Sequence, residues 1–330
     1  MPNPSSSPGT TLAGVACGAT AGALWGLVFL APKLVDAFNP LLLASGRYLF
    51  YGLISAILLA PRRHAIVGIV TRREWLTLAW LGFAGNTLYY VLLSMAVQVG
   101  GIAMTSLVIG FLPVAVTIIG SRDQNAIPLA RLIPSLLLCS IGAICIGWQT
   151  MVEPASGSLS ARVTGLLCAI GALASWTAYA VGNSRCLVRL SHVSVHDWNL
   201  LTGIVTGTQS LLLLPLALAL DTSHHSGSEW GRFTAVSIGV AVLASILGNA
   251  FWNRMSRLLP LTLIGQMILF ETLFALLYGF LWESRLPRPL EIVAFALVVL
   301  SVIFCVAAHC SKERPSQIAD EIYIATGGTP

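Results

Sequence analysis

Two ionisable side chains sit where the surrounding chain makes them hardest to keep. Leu258–Glu283, LLPLTLIGQMILFETLFALLYGFLWE, is long enough to cross a bilayer and carries Gln266 and Glu271 in its interior. A carboxylate near the centre of a lipid-spanning helix costs roughly 2.5–3.5 kcal/mol on insertion scales. Glu271 therefore needs a partner charge, a water-filled cavity or a substrate. Arg47 is the only basic residue well inside an apolar stretch. Counted from Pro40 it is roughly 10 Å deep, and Glu271, counted from Leu281, is roughly 15 Å deep, at 1.5 Å per residue. At those depths the two long side chains can meet, either as a coupling pair that substrate or protons disturb or as a static ion pair.

Around them run polar and aromatic stripes, since residues three, four or seven apart share a helix face. Asn86, Tyr89, Tyr90 and Ser94 form one. Trp176, Tyr179 and Asn183 form a second, Asn249 and Asn253 beside Trp252 a third, and Gln266 precedes Glu271 in a fourth. With Trp25, these suit an amphipathic solute that has a flat or apolar part. For any one of them the competing account is an interhelical hydrogen bond of about 0.6–2 kcal/mol or an aromatic interface anchor. Spread over several segments, the set favours a cavity. Lys33, after Pro32 at the end of the first apolar segment, snorkels to the interface or gates the site.

The elements that must position these residues follow from composition. The chain has 330 residues, 56% hydrophobic and only 9% charged, with a net charge of +5; soluble domains average about 25% charged. The basic excess marks cytoplasmic loops, and no nucleic-acid partner is implied. Seven cysteines without a CxxC spacing read as packed free thiols, with no disulfide framework, metal site or cofactor. There is no GxxxxGK[ST], HExxH or GxSxG, and no histidine is expected inside a span, so an enzyme or an ATP-driven pump is not expected. His224 and His225 are expected in an exposed polar loop.

A window of about 19 residues resolves apolar segments at 12–31, 40–60, 75–97, 102–120, 131–149, 163–184, 198–220, 233–253, 259–281 and 290–309. With the N-terminus inside, twelve basic residues (Arg62, Arg63, Arg72, Arg73, Arg122, Arg131, Arg185, Arg189, Arg254, Arg257, Lys312 and Arg314) face the cytoplasm. Five (Lys33, Arg162, Arg232, Arg285 and Arg288) face out. Both termini are therefore expected in the cytoplasm. The segment Arg62–Glu74 is expected as orientation charge or a short interfacial helix.

The chain also repeats internally. CGATAGALW (Cys17–Trp25) recurs as CAIGALASW (Cys168–Trp176), 151 residues on, and FLPVAVTI (Phe111–Ile118) lies against FETLFALL (Phe270–Leu277), 159 residues on. A repeat with an odd number of helices forces the halves into opposite orientations, the mark of secondary transporters with midplane sites. The expected division is a polar tail 1–11, a first repeat 12–149, an outer linker 150–162, a second repeat 163–309 and a cytoplasmic tail 310–330.

Several features then coincide: Trp25-Gly26, Lys33, Asn39-Pro40 leading to Arg47, Leu112-Pro113-Val114 and Gly142, followed by Trp176, Glu271 and Trp282-Glu283. On these the chain resembles the drug/metabolite transporter superfamily, specifically its EamA-type ten-helix proteins, over 12–309. It departs from the family pattern at Thr272, where proline is usual, which removes the expected kink from that helix. AFWN (Ala250–Asn253) and IGALASWTAYAVGN (Ile170–Asn183) are similar to the branch containing aromatic amino-acid exporters. The resemblance implies a ten-helix inverted-repeat fold and export of small metabolites such as amino acids.

The expectation is thus an all-α, multi-pass inner-membrane carrier of ten transmembrane helices, working by alternating access without ATP. Its partners are a small-molecule substrate, the bilayer and protons as the candidate coupling ion; nothing in the chain sets an oligomeric state. Trp25, Asn86, Tyr90, Trp176, Tyr179, Asn183, Asn249, Trp252, Asn253 and Gln266 would bind substrate. Arg47, Glu271, Pro113 and Lys33 would couple or gate. An importer or exchanger of organic anions or nucleotide sugars needs more buried cations than Arg47 alone. A non-transporting accessory subunit is the remaining alternative.

Overall fold

The computed structural model describes residues 8–35, 37–100, 105, 108–123, 126–151, 159–190, 192–282, 284 and 286–325. The side chains of Lys33 and Ser94, most of the 150–162 linker, much of the start of the 102–120 segment and the side chains from 310 onward lie outside the described residues.

The principal helical stretches are α1 (Pro8–Gly26), α2 (Pro40–Leu59), α3 (Arg72–Gly82, continuing through Phe83–Leu88 to Tyr89–Gly100) and α4 (Leu112–Gly120). Next come α5 (Leu129–Met151), α6 (Leu159–Arg189) and α7 (Val195–Leu220). The last are α8 (Gly227–Val240, Ala241–Gly248, Asn249–Leu258), α9 (Leu261–Met267 then Leu269–Trp282) and α10 (Pro289–Ala325). Among the described residues seven are long and apolar enough to cross a membrane, namely α2, α3 and α6 to α10. Leu129–Cys145 of α5 is a shorter apolar helix. In the Arg62–Glu74 segment a short helix, Arg63–Val67, precedes the start of α3 at Arg72.

Local chemistry sets the helix starts. Asn39 Oδ1 accepts from Leu41 N (2.8 Å), with Pro40 in the first turn of α2. Thr71 and Glu74 close a capping box on α3, and Ser226 and Glu229 another on α8. Backbone groups in lipid must be satisfied within the helix, which makes the departures from regular helix informative. Phe83–Leu88 of α3 and Ala241–Gly248 of α8 are π-helical. α9 is interrupted at Ile268 although it lacks a proline there. The break expected to vanish with Thr272 is thus present a turn earlier.

The distribution of side chains is the reverse of a water-soluble protein. Leu53, Ile57, Leu137, Leu167, Leu212 and Ile303 are exposed, while Arg47, Asn183, Asn199, Thr206 and Gln266 are buried. An apolar exterior over a polar-studded interior is what a lipid solvent selects. Helices approach through glycine. On α1, Gly14, Gly18, Gly22 and Gly26 face the end of α8 and α9, and a Cβ at Gly22 would lie 2.8 Å from Glu271 N. Gly52 of α2 and Gly207 of α7 meet backbone to backbone. The main pairings are α2 with α7, α5 with α10, α4 with α9, α1 with α8 and α9, and α6 with α3 and α4; α8 also packs on α2, and α3 on α7.

Two histidines differ from expectation. His309 is buried between α10 and α9, where Nδ1 lies 2.7 Å from Cys305 O and Nε2 lies 2.8 Å from Thr262 Oγ1. The span reaches it because α10 continues as helix past residue 309. His225 is not a solvated loop residue. Its ring stacks on Phe38 at 3.9 Å and hydrogen-bonds to Asp221 at 3.1 Å, with its side chain 4% exposed. Trp230 and Phe233 complete the apolar packing around Phe38 that draws the ring in.

Candidate functional site

Helices α1, α6 and α8 bring Trp25, Trp176 and Trp252 into one buried cluster. Trp25 and Trp252 are 5.0 Å apart between centroids, Trp176 and Trp252 5.5 Å, and Trp25 meets Trp176 edge-on at 6.3 Å. Tyr179 packs on Trp176 at 6.0 Å. The rings continue through Tyr89 (6.4 Å from Trp176) to Tyr90 and then Tyr48. At that end Arg47 lies over Tyr48 (5.0 Å) and Tyr90 (5.5 Å). A ring face attracts a cation by about 2 kcal/mol or more when both are desolvated.

The π-helical segments of α3 and α8 make room for these rings. A π turn shifts the backbone register and leaves carbonyls to be satisfied from outside, and it is frequent at functional sites. Ala84 O accepts from Ser175 Oγ (2.8 Å), and Ala244 O accepts from Trp25 Nε1 (3.0 Å). In each segment a glycine receives the ring: Tyr179 lies against Gly85, and a Cβ at Gly248 would lie 2.7 Å from Trp25 Nε1.

Arg47 donates from Nε to Ser245 Oγ (3.0 Å) and from Nη1 to Tyr90 (3.3 Å). It makes no ion pair with Glu271 within 4.0 Å, although each lies in the other's electrostatic field. Glu271 is partly exposed, at the start of the second half of α9. Between Tyr48, Tyr90, Ser45, Thr87 and Ser210 there is a cavity of about 10 Å³, room for one water molecule.

Other expected site residues are engaged in joining helices. Asn183 accepts from Trp198 Nε1 (2.9 Å) and donates to Asn253 Oδ1 (2.9 Å), linking α6, α7 and α8. Asn86 donates to Thr206 of α7 (3.3 Å). Asn249 is buried and lies beside the Tyr51 hydroxyl, which itself bonds to Asn199. Gln266 Oε1 is 2.9 Å from Ser301 Oγ, which is 2.7 Å from Ser135 O, so Gln266 faces α10 and α5 rather than the tryptophans. Pro113 is buried in the first turn of α4, its carbonyl close to Gly265 of α9.

Tyr48, Tyr51, Ser245 and the π-helical segments carry no strong mark in the sequence. Tyr51 is one turn after Arg47 and Ser245 one turn before Asn249, so facial spacing alone could have found both. Tyr48 is one position from Arg47, and adjacent residues do not ordinarily share a face.

The model of the EamA-like transporter family matches residues 12–149 and again 163–307. Inner membrane protein YtfF of Escherichia coli (strain K12) is 30% identical over 320 residues, covering 94% of this chain and 99% of the relative. A solved crystal structure of another protein shares the fold with a TM-score of 0.69 at 19% identity, over 88% of this chain and 97% of that one. The two family matches span the spans, the tryptophan cluster, Arg47 and Glu271 alike, and the chain is a multi-pass membrane protein of the EamA-like transporter family, whose members carry small solutes.

Proposed function

We propose that the chain is a secondary carrier that exports a small amino-acid-like or aromatic metabolite from the cytoplasm by alternating access, without ATP. It sits in the inner membrane, as its relative does, with ten spans in two inverted five-helix repeats and both termini cytoplasmic. The observation that carries this reading is the pattern of packing. Exchanging each helix with the one five places on turns α1–α8 into α6–α3, α1–α9 into α6–α4 and α8–α2 into α3–α7. The pairings α2–α7, α5–α10 and α4–α9 map onto themselves. Contacts α6–α8 and α8–α9 fall outside the pattern. A two-fold arrangement in the membrane plane gives two halves that rock about a central site.

In this reading Trp25, Trp176, Trp252, Tyr179 and Tyr90 receive the flat part of the solute. Gly265 and Pro113 at the α4–α9 crossing, with the break at Ile268, let the halves move, and Glu271 is the group that couples to protons. The rings are in contact with one another, so this conformation is closed around the site. Asn183 and Asn253 hold the wall behind the rings.

The test is uptake into proteoliposomes across a panel of amino acids and aromatic cations, with and without a pH gradient. Accumulation of at least one solute, stimulated by a gradient, is the expected result. No solute moving under any gradient sinks the carrier reading.

A further inference from the structure

We infer that Arg47 anchors a carboxylate of the carried solute, an assignment that rests on the carrier reading above and gives it a chemical class. A guanidinium presents five N–H donors in a flat fork that matches the two oxygens of a carboxylate. Here Nε and Nη1 reach Ser245 and Tyr90, and the other terminal nitrogen has no hydrogen-bond partner among the described residues. No carboxylate of the described residues lies within 4.0 Å of it. The tyrosine faces stabilise the cation from the side and supply no pair of in-plane oxygens. The side chain is 8% exposed, so water does not fill the fork freely. Leaving part of a buried guanidinium's donors unfilled is costly, and a ligand oxygen at the free nitrogen lowers that penalty.

What leads away from Arg47 is equally specific. The rings run from Tyr48 and Tyr90 through Tyr89 to Trp176 and Trp252, a surface for a flat or apolar body attached to the carboxylate. At the far end Trp252 Nε1 is buried and unpartnered, a donor for a second polar atom. Phosphate recognition recruits further cations, and Arg47 is the only basic residue well inside an apolar stretch.

The experiment uses the full-length protein in detergent, with L-phenylalanine and L-phenylalaninamide as probes and the ligand-dependent rise in unfolding temperature as readout. The acid should bind about tenfold or more tightly than the amide, the loss expected on removing charge-assisted hydrogen bonds. R47Q should erase the preference, and R47K should keep part of it, having the charge without the fork. Equal binding of acid and amide by the wild type, or undiminished acid binding by R47Q, overturns the assignment. If R47Q does not fold, the wild-type comparison decides, with S245A as the milder variant. In proteoliposomes, equal transport of acid and amide removes the role of Arg47 and leaves the carrier standing. Transport of neither removes both.

Discussion

Replacing Asn183 by leucine, which keeps the branched side-chain skeleton but has no polar atoms, separates a structural from a substrate-binding role for the α6–α8 asparagines. Asn183 accepts from Trp198 Nε1 and donates to Asn253 Oδ1, both at 2.9 Å, and Trp198 and Asn253 are 1% and 2% exposed. Hydrogen bonds between membrane helices are worth about 0.6 kcal/mol on average and about 1.7 at most, so losing two gives about 1–3 kcal/mol. N253L loses only the shared bond and should cost about half as much. Because that bond disappears in either single variant, the double variant should fall short of additivity by about 0.6–1.7 kcal/mol, the strength of that bond. Equilibrium unfolding in mixed micelles titrated with dodecyl sulfate measures all four free energies. W198F gives a second cycle against N183L with the same expectation. Full additivity would refute the hydrogen-bond relay. Loss of transport by N253L with unchanged stability would show that Asn253 faces substrate.

Four further outcomes are expected. G22I drives a branched side chain into Phe270 and the Glu271 backbone and should destabilise the fold by about 1–3 kcal/mol or more, whereas G231A, with open space around it, should change stability by about 0.5 kcal/mol or less; the folded fraction on size-exclusion chromatography separates them. H225A removes the Phe38 stack and the Asp221 hydrogen bond and should lower stability by about 1–2 kcal/mol, measured by the same micelle unfolding; an effect within error would mean the ring only rests there. E271Q should abolish accumulation driven by a pH gradient while sparing solute counterflow, and equal loss of both would place Glu271 in binding or folding instead. Fusions should report the proposed orientation: green fluorescent protein after Pro330 should fluoresce, and alkaline phosphatase inserted after Ser223 should be active.

Much of this protein was legible from one line of residues because lipid imposes simple rules on sequence. Spans must be apolar and about 20 residues long, basic residues stay on one side, and ionisable groups inside are rare. Arg47 and Glu271 stand out for that reason. Trp25, Trp176 and Trp252 were legible as candidates, as large aromatics in spans otherwise rich in small residues, and only the fold shows that they meet. Facial spacing failed to say what Asn86, Asn183, Asn253 and Gln266 touch, since a polar residue turned inward looks the same whether it meets a solute or a neighbouring helix.

The sequence by itself therefore determined the solvent, the family likeness, the approximate span positions and the two charges that need an explanation. Only the tertiary structure decided who answers them. Arg47 is held by Ser245 of α8 and by tyrosines of α2 and α3, not by Glu271, and that depends on how far apart α2 and α9 stand. The π-helical turns at Phe83–Leu88 and Ala241–Gly248 have the same explanation. Their backbone register is stabilised by Ser175 and Trp25, donors more than 90 and 200 residues away in the chain, so no local propensity encodes them.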